Sequence, residues 1–202
     1  YNGNYIRMLS DEELYKWTLP FITGTGDAAL EINPENPQPA PKVGPEYSGI
    51  ALGEDGEPYC IDKSMNMSCA EVKAKLLALM PLIKERLKYL TDAAEMVHFL
   101  FTEPAVPPVD QIIPKKIDAS KTKEVLEKAK DFVKALPGLD HEASEELARK
   151  YADELGIKLG DFMMPIRMAV TGSRVSPPLM GSILILGVEK SLERIERTLK
   201  AF

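Results

Sequence analysis

Cysteine is nearly missing from these 202 residues: Cys60 and Cys69 are the only two. Two thiols make no disulfide framework, so a reducing, cytoplasmic setting is the simpler expectation. Histidine is as scarce, with His98 and His141 on different predicted helices and neither close to a cysteine. A zinc site therefore lacks ligands, and no metal is expected. No apolar run approaches the ~18 residues a membrane helix needs, and the opening Tyr1-Asn2-Gly3-Asn4 has no apolar signal core. A membrane partner is not expected. There is no Gly-x-x-x-x-Gly-Lys phosphate loop and no Gly-x-Ser-x-Gly elbow. Carboxylate pairs such as Glu145-Glu146 lie in polar helix faces, where solvated charge is the ordinary reading. No catalytic residue is assigned. The chain starts without Met, on an aromatic residue, and is expected to be a piece of something longer.

What remains is the composition of an ordinary folded protein, 45% apolar and 28% charged, sized for one domain or two small ones. The net charge of −6 argues at first against nucleic acid. The placement of that charge reverses the inference. Residues 23–63 alone carry a net of −6, which leaves the rest of the chain balanced, and residues 165–202 carry +3. A small basic surface on a neutral body suits a partner met at a few phosphates or bases. It does not suit sequence-blind coating of nucleic acid, so no DNA partner is expected.

Helical signals begin at Ser10-Asp11-Glu12-Glu13, a capping box, and Pro20 with Gly24 closes that helix. From about 23 to 66 the prolines Pro34, Pro37, Pro39, Pro41, Pro45 and Pro58 leave no period of 3.6. The stretch reads as a long irregular insert of little buried area, with a short hairpin near Ile50–Ile61 around Asp55-Gly56. Periodicity returns at Ser68 or Cys69, and Pro81 is expected to start a second helix that ends near Tyr89. Thr91-Asp92 caps a third. Pro104, Pro107, Pro108 and Pro114 form a linker, so the expected division is 1–112 and 113–202. Helices opening at Ser120, at Asp140 or Ser144, at Gly160-Asp161, at Pro177-Pro178 and at Glu189 fill the second half. The fold class is all-α, two consecutive helical subdomains with a long irregular insert.

One stretch does not read as plain helix surface: Pro165-Ile166-Arg167-Met168-Ala169-Val170-Thr171-Gly172-Ser173-Arg174-Val175-Ser176-Pro177-Pro178-Leu179. A helix end, a glycine turn and a diproline follow one another, with two arginines and two hydroxyls between. Arginine forks suit base edges and phosphates, and Pro177 confines Ser176 to extended backbone. From composition alone the same residues also suit an interhelical turn with solvated arginines.

Met164 to Gly172, Pro177-Pro178-Leu179, Ile183 to Gly187 and Leu192-Glu193-Arg194-Ile195 resemble the C-terminal end of bacterial glutamyl-tRNA synthetases. The opening Asn2 to Arg7 with Leu9-Ser10 resembles the segment just after that family's catalytic half, and Leu100-Phe101-Thr102-Glu103 also matches. The resemblance covers roughly 1–22 and 70–202. It implies a class I aminoacyl-tRNA synthetase, in which two α-helical, cage-type anticodon-binding subdomains follow a Rossmann catalytic domain. The His-x-Gly-His-type and Lys-Met-Ser-Lys-Ser-type ATP motifs do not occur in this sequence. The resemblance thus implies an anticodon-binding region of a glutamate-tRNA ligase, with ATP and Mg confined to the parent enzyme's catalytic domain and no cofactor here. The implied partner is tRNA(Glu), met by a monomer.

By the same resemblance Arg86 falls on the arginine that reads the third anticodon base, where cytosine separates glutamate tRNA from glutamine tRNA. Arg167 falls on another anticodon-contacting arginine, and its guanidinium is expected to project beside the turn. Ser176, Pro177 and Leu179 fall on the turn that packs against the flipped-out bases, with Thr171 and Gly172 as its scaffold. From the residues alone, Arg86 is equally an amphipathic-helix arginine among solvated Lys84, Glu85 and Lys88. The insert at 23–66 departs from the family in its length. A helical protein-interaction module, docking through that insert, is the alternative reading. A stand-alone enzyme would need a catalytic constellation that these residues do not form.

Overall fold

Local capping starts the first long helix where the sequence places it. After a short α1 (Gly3–Met8), Ser10 Oγ accepts the Glu13 N–H at 3.2 Å and Glu13 Oε2 accepts the Ser10 N–H at 2.7 Å, opening α2 (Asp11–Thr23). The Ser10 backbone N–H holds the Glu13 carboxyl below its ordinary pKa. The computed structural model describes residues 3–26 and 43–202. The proline-richest part of the expected insert, 27–42, lies outside the described residues, as do Tyr1 and Asn2.

From Val43 onward part of the insert is ordered and packs into the core, although much of it is exposed, so it buries more than its composition suggests. It forms α3 (Pro45–Ser48) and an antiparallel ribbon of β1 (Ile50–Leu52) and β2 (Pro58–Cys60), registered Ile50 to Cys60 and Leu52 to Pro58. The turn falls at Asp55-Gly56 as expected, where Asp55 Oδ1 accepts the Glu57 N–H at 3.1 Å. Ser48 and Ile50 are fully buried. Ser48 Oγ donates to the Ile22 carbonyl at 2.7 Å and accepts the Ile50 N–H at 3.0 Å, tying the ribbon to α2. Each element is three or four residues long, too short to show a period, so the hairpin is legible only from its Asp55-Gly56 turn and its packing against α2 is not legible at all.

The second capping box, Ser68 with Glu71, opens α4 (Cys69–Ile83). Pro81 lies inside this helix and does not start another, a second correction. Its missing N–H and its clash with the preceding turn fall two residues before the end, where the helix is terminating anyway. The Asp92 carboxylate accepts the Lys88 and Tyr89 N–H groups at 3.0 and 3.1 Å, and α5 (Ala93–Phe101) follows. Cys60 Sγ donates to the Phe101 carbonyl at 3.1 Å, and burial pushes that thiol's pKa up. Among the described residues no three His, Cys, Asp or Glu stand together as metal ligands.

The chain divides into two units, Tyr1–Glu103 and Pro104–Phe202. The division falls where the proline segment begins, earlier than 112/113, because α6 (Val109–Ile112) sends fully buried Ile112 into the second unit. There follow α7 (Ala119–Ala135), α8 (His141–Glu154), α9 (Leu159–Thr171), α10 (Leu179–Leu186) and α11 (Val188–Leu199). Asp118, not Ser120, caps α7: its Oδ1 accepts the Lys121 N–H at 2.8 Å. The core centres on Phe132, Tyr151 and Phe162, with Phe132 set edge-on to both partners. With eleven α-helices and one two-stranded ribbon among the described residues, the fold is all-α.

The buried ribbon generates a test. Gly49 sits at φ 79°, and a Cβ there would lie 2.6 Å from Thr102 Cγ2 and 2.8 Å from the Phe101 carbonyl oxygen. Gly49→Ala should therefore destabilise the first unit. Ser48→Ala, which strands the Ile22 carbonyl and the Ile50 N–H, should cost about 1–3 kcal/mol. Urea unfolding monitored by circular dichroism reads both. Wild-type stability in both variants would mean that the ribbon contributes nothing to the core.

Candidate functional site

Arg86 lies not on a helix but in the turn after α4, with its N–H donating to the Ile83 carbonyl at 2.8 Å. Its predicted neighbours are not simply solvated. Lys84 pairs with Asp11 at 2.7 Å and Glu85 with Arg7 at 3.0 Å, which fastens one side of the turn to α2 and α1. Leu87 is buried on the other side, and Asp92 holds the two N–H groups beyond it. Exposed ion pairs contribute little to stability. Here they set direction: Arg86 is exposed, and its guanidinium makes no hydrogen bond or ion pair to a described residue. A free fork on a braced turn is available to a ligand edge.

The remaining predicted residues gather in the second unit. The α9 helix ends at Gly172 (φ 70°), whose N–H returns to the Met168 carbonyl at 3.0 Å. A Cβ at Gly172 would meet Pro104 Cβ at 2.7 Å, so glycine is required for both conformation and space. Thr171 Oγ1 lies 2.9 Å from the Arg167 carbonyl and accepts the Ser173 N–H at 3.3 Å, consistent with a scaffold role.

Arg167 does not project beside the turn. Its Nη1 donates to Ser176 Oγ and to the Pro177 carbonyl at 3.0 Å, with the Ser176 carbonyl at 3.4 Å. Three acceptors clustered by the Ser-Pro-Pro backbone draw the guanidinium inward. Ser176, Pro177 and Leu179 are buried, and Ser176 Oγ donates to the Pro177 carbonyl at 3.0 Å. The surface of the turn is Ser173, Arg174 and Val175, the last 70% exposed. The named residues thus form a rigid base, and the three between them form the tip.

Arg194 belongs by sequence to the basic stretch 165–202, but it adds nothing to a basic surface. It is fully buried and donates from Nη1 to the Val170 carbonyl at 2.6 Å, at the end of α9. A helix C-terminus leaves its last carbonyls without intrahelical partners and carries negative partial charge, and a guanidinium answers both. One turn further along α11, Arg197 donates to the Pro104 carbonyl at 2.7 Å, beneath Gly172. Small hydroxyl residues on the same face, Ser191 and Thr198, are the signal that could have shown that a long side chain fits there.

A family model described as an anticodon binding domain matches residues 52–199. A glutamate–tRNA ligase of Treponema denticola is 46% identical over 199 residues, covering 98% of this chain and 36% of that protein. That of Treponema pallidum strain Nichols is 36% identical over 200 residues, covering 99% and 34%. That of Roseiflexus castenholzii is 33% identical over 195 residues, covering 96% and 31%. The chain therefore spans about a third of the length of the curated relatives it matches. A crystal structure of a glutamate tRNA ligase from Elizabethkingia meningosepticum superposes with a TM-score of 0.50 at 18% identity, over 98% of this chain and 31% of that one. At that identity the likeness concerns the fold alone. No helix of the described residues is long and apolar enough to cross a membrane.

The clasp on α9 has a measurable consequence. Arg194→Ala leaves a cavity and an unsatisfied carbonyl, and should destabilise the second unit by about 2–4 kcal/mol. Thermal unfolding of the variant checks it, and an unchanged midpoint would remove Arg194 from the supports of the turn.

Proposed function

The chain belongs to the anticodon-binding domain family, and from that premise we propose that it is the tRNA-recognising part of a glutamate–tRNA ligase. Its two units each serve as an anticodon-binding subdomain. The partner is tRNA(Glu), bound by a cytoplasmic monomer. Attachment of glutamate with ATP and Mg belongs to the parent enzyme's catalytic part, and this chain's residues supply recognition without a cofactor. The observation that carries the reading is the braced turn, in which a three-residue tip stands on a buried, hydrogen-bonded Ser176-Pro177 base.

The mechanism follows from what each group has free. Single-stranded loops are read by splaying bases out, stacking them and meeting their edges with fixed donors and acceptors. Arg86 presents an uncommitted fork, suited to the third anticodon base. The turn works by shape. Arg167 holds the Ser176 and Pro177 carbonyls, the diproline restricts the backbone, and Leu179 anchors it in the core. Bases then meet a surface that does not reorganise on contact.

Two measurements test this. Arg86→Gln in the full-length enzyme should narrow the preference for glutamate over glutamine tRNA, since one specific base contact is worth about 1–3 kcal/mol. An unchanged ratio of charging efficiencies would remove Arg86 from base reading. Pro177→Gly and Arg167→Ala should both lower tRNA affinity while leaving its salt dependence intact, because both act on the turn's shape and not on phosphate. If neither change weakens binding while circular dichroism shows intact helices, the turn is only a connector.

A further inference from the structure

The tip of the turn is tied to α6 of the same unit. Arg174 Nη2 donates to the Gln111 carbonyl at 3.0 Å, a bond between residues 63 positions apart. Gln111 is on α6, and the chain leaving α6 turns sharply at Pro114-Lys115-Lys116-Ile117, where the Ile117 N–H returns to the Pro114 carbonyl at 3.4 Å. Pro114 is buried and Ile117 half-buried, whereas Lys115 and Lys116, the two central residues of the turn, are both exposed. Neither lysine makes a hydrogen bond or ion pair to a described residue. Lys115 is four positions along the chain from Gln111, which limits their Cα distance to about 15 Å, the span of two or three nucleotides.

The acidic groups nearby, Asp110 and Asp118, offset this charge only in part. Asp118 turns one carboxylate oxygen to the α7 cap while keeping its charge, and Lys121 of that helix is paired with Glu124 at 2.8 Å. Asp110 is the one exposed carboxylate on α6. Arg174, Lys115 and Lys116 against Asp110 and Asp118 leave a small positive excess on the 110–118 segment and the arginine bound to it.

We infer that Lys115 and Lys116 form a phosphate-contacting shoulder that grips the RNA backbone next to the bases held at the 173–175 tip. The inference rests on the proposed tRNA reading, and it divides labour within the unit. The rigid turn meets bases by shape. The lysine corner meets phosphates by charge, as strongly hydrated, mobile ammonium groups do when no planar edge has to be matched. Arg174 ties the tip to α6, from whose end the lysine turn follows, by bonding to the Gln111 carbonyl.

The test uses the 202-residue chain with labelled glutamate tRNA, titrated at several salt concentrations. Lys115→Gln/Lys116→Gln should reduce the slope of log affinity against log salt by about two, one for each lysine that contacts phosphate. At 0.1 M salt the affinity should fall by at least about tenfold, and by the same factor for a tRNA with an altered anticodon. Lys123→Gln/Lys128→Gln removes the same charge from exposed positions of α7 and should leave both quantities nearly unchanged. An equal loss in that control would mean that only overall charge matters, and overturns the shoulder. Wild-type slope in Lys115→Gln/Lys116→Gln, with tRNA still bound, overturns the shoulder and leaves the tRNA reading standing. No binding of tRNA by the wild-type chain overturns both.

Discussion

A buried guanidinium on a helix end is the contact from which the second unit's candidate site is built. Arg194, without solvent exposure, satisfies the Val170 carbonyl one residue before α9 ends. An unpaired buried cation would be prohibitively costly, so the geometry of this bond is not free to vary. It fixes where α9 stops relative to α11, and hence where the Gly172 turn begins. Arg197 on Pro104, and Pro104 against Gly172, extend the same restraint to the start of the unit. Everything presented at 173–175 stands on these contacts.

The first unit solves a similar problem with weaker means. Its candidate residue, Arg86, is exposed on a turn, where desolvated bonds cannot reach it. The turn is aimed instead by a ring of local constraints: Lys84 on Asp11, Glu85 on Arg7, buried Leu87 and the Asp92 carboxylate on two backbone amides. Each contributes little energy alone. Together they leave the Arg86 side chain as the uncommitted cation of that turn's centre. One unit thus offers a fixed shape and the other a free charge.

The α3 to β2 ribbon shows how composition can mislead. Prolines, glycines and acids suggest an appendage, yet Ser48 and Ile50 lie in the core and Gly49 lies against the end of α5. Short elements gain nothing from periodicity. What holds them is a handful of bonds to distant backbone, with Ser48 reaching Ile22 across 26 positions. Similarly, most of the residues that the family resemblance names between 167 and 179 form the buried base of a turn, and its exposed tip lies among residues the resemblance did not single out.

What the amino-acid sequence determined by itself are the features settled within about four residues. The Ser10–Glu13 and Ser68–Glu71 boxes start helices, Asp55-Gly56 turns a hairpin, Gly172 ends α9, and repeated apolar spacing makes the class all-α. Short-range hydrogen bonds and side-chain sterics suffice for these, because both partners are given by the local chain. Tertiary structure alone decided that Arg194 is buried while Lys115 and Lys116 are exposed, and that Arg174 ties the 173–175 tip to α6. These depend on partners 24 to 63 positions away. An arginine reads the same in sequence whether its guanidinium faces water or a carbonyl, and only the packing of distant helices around it selects between the two.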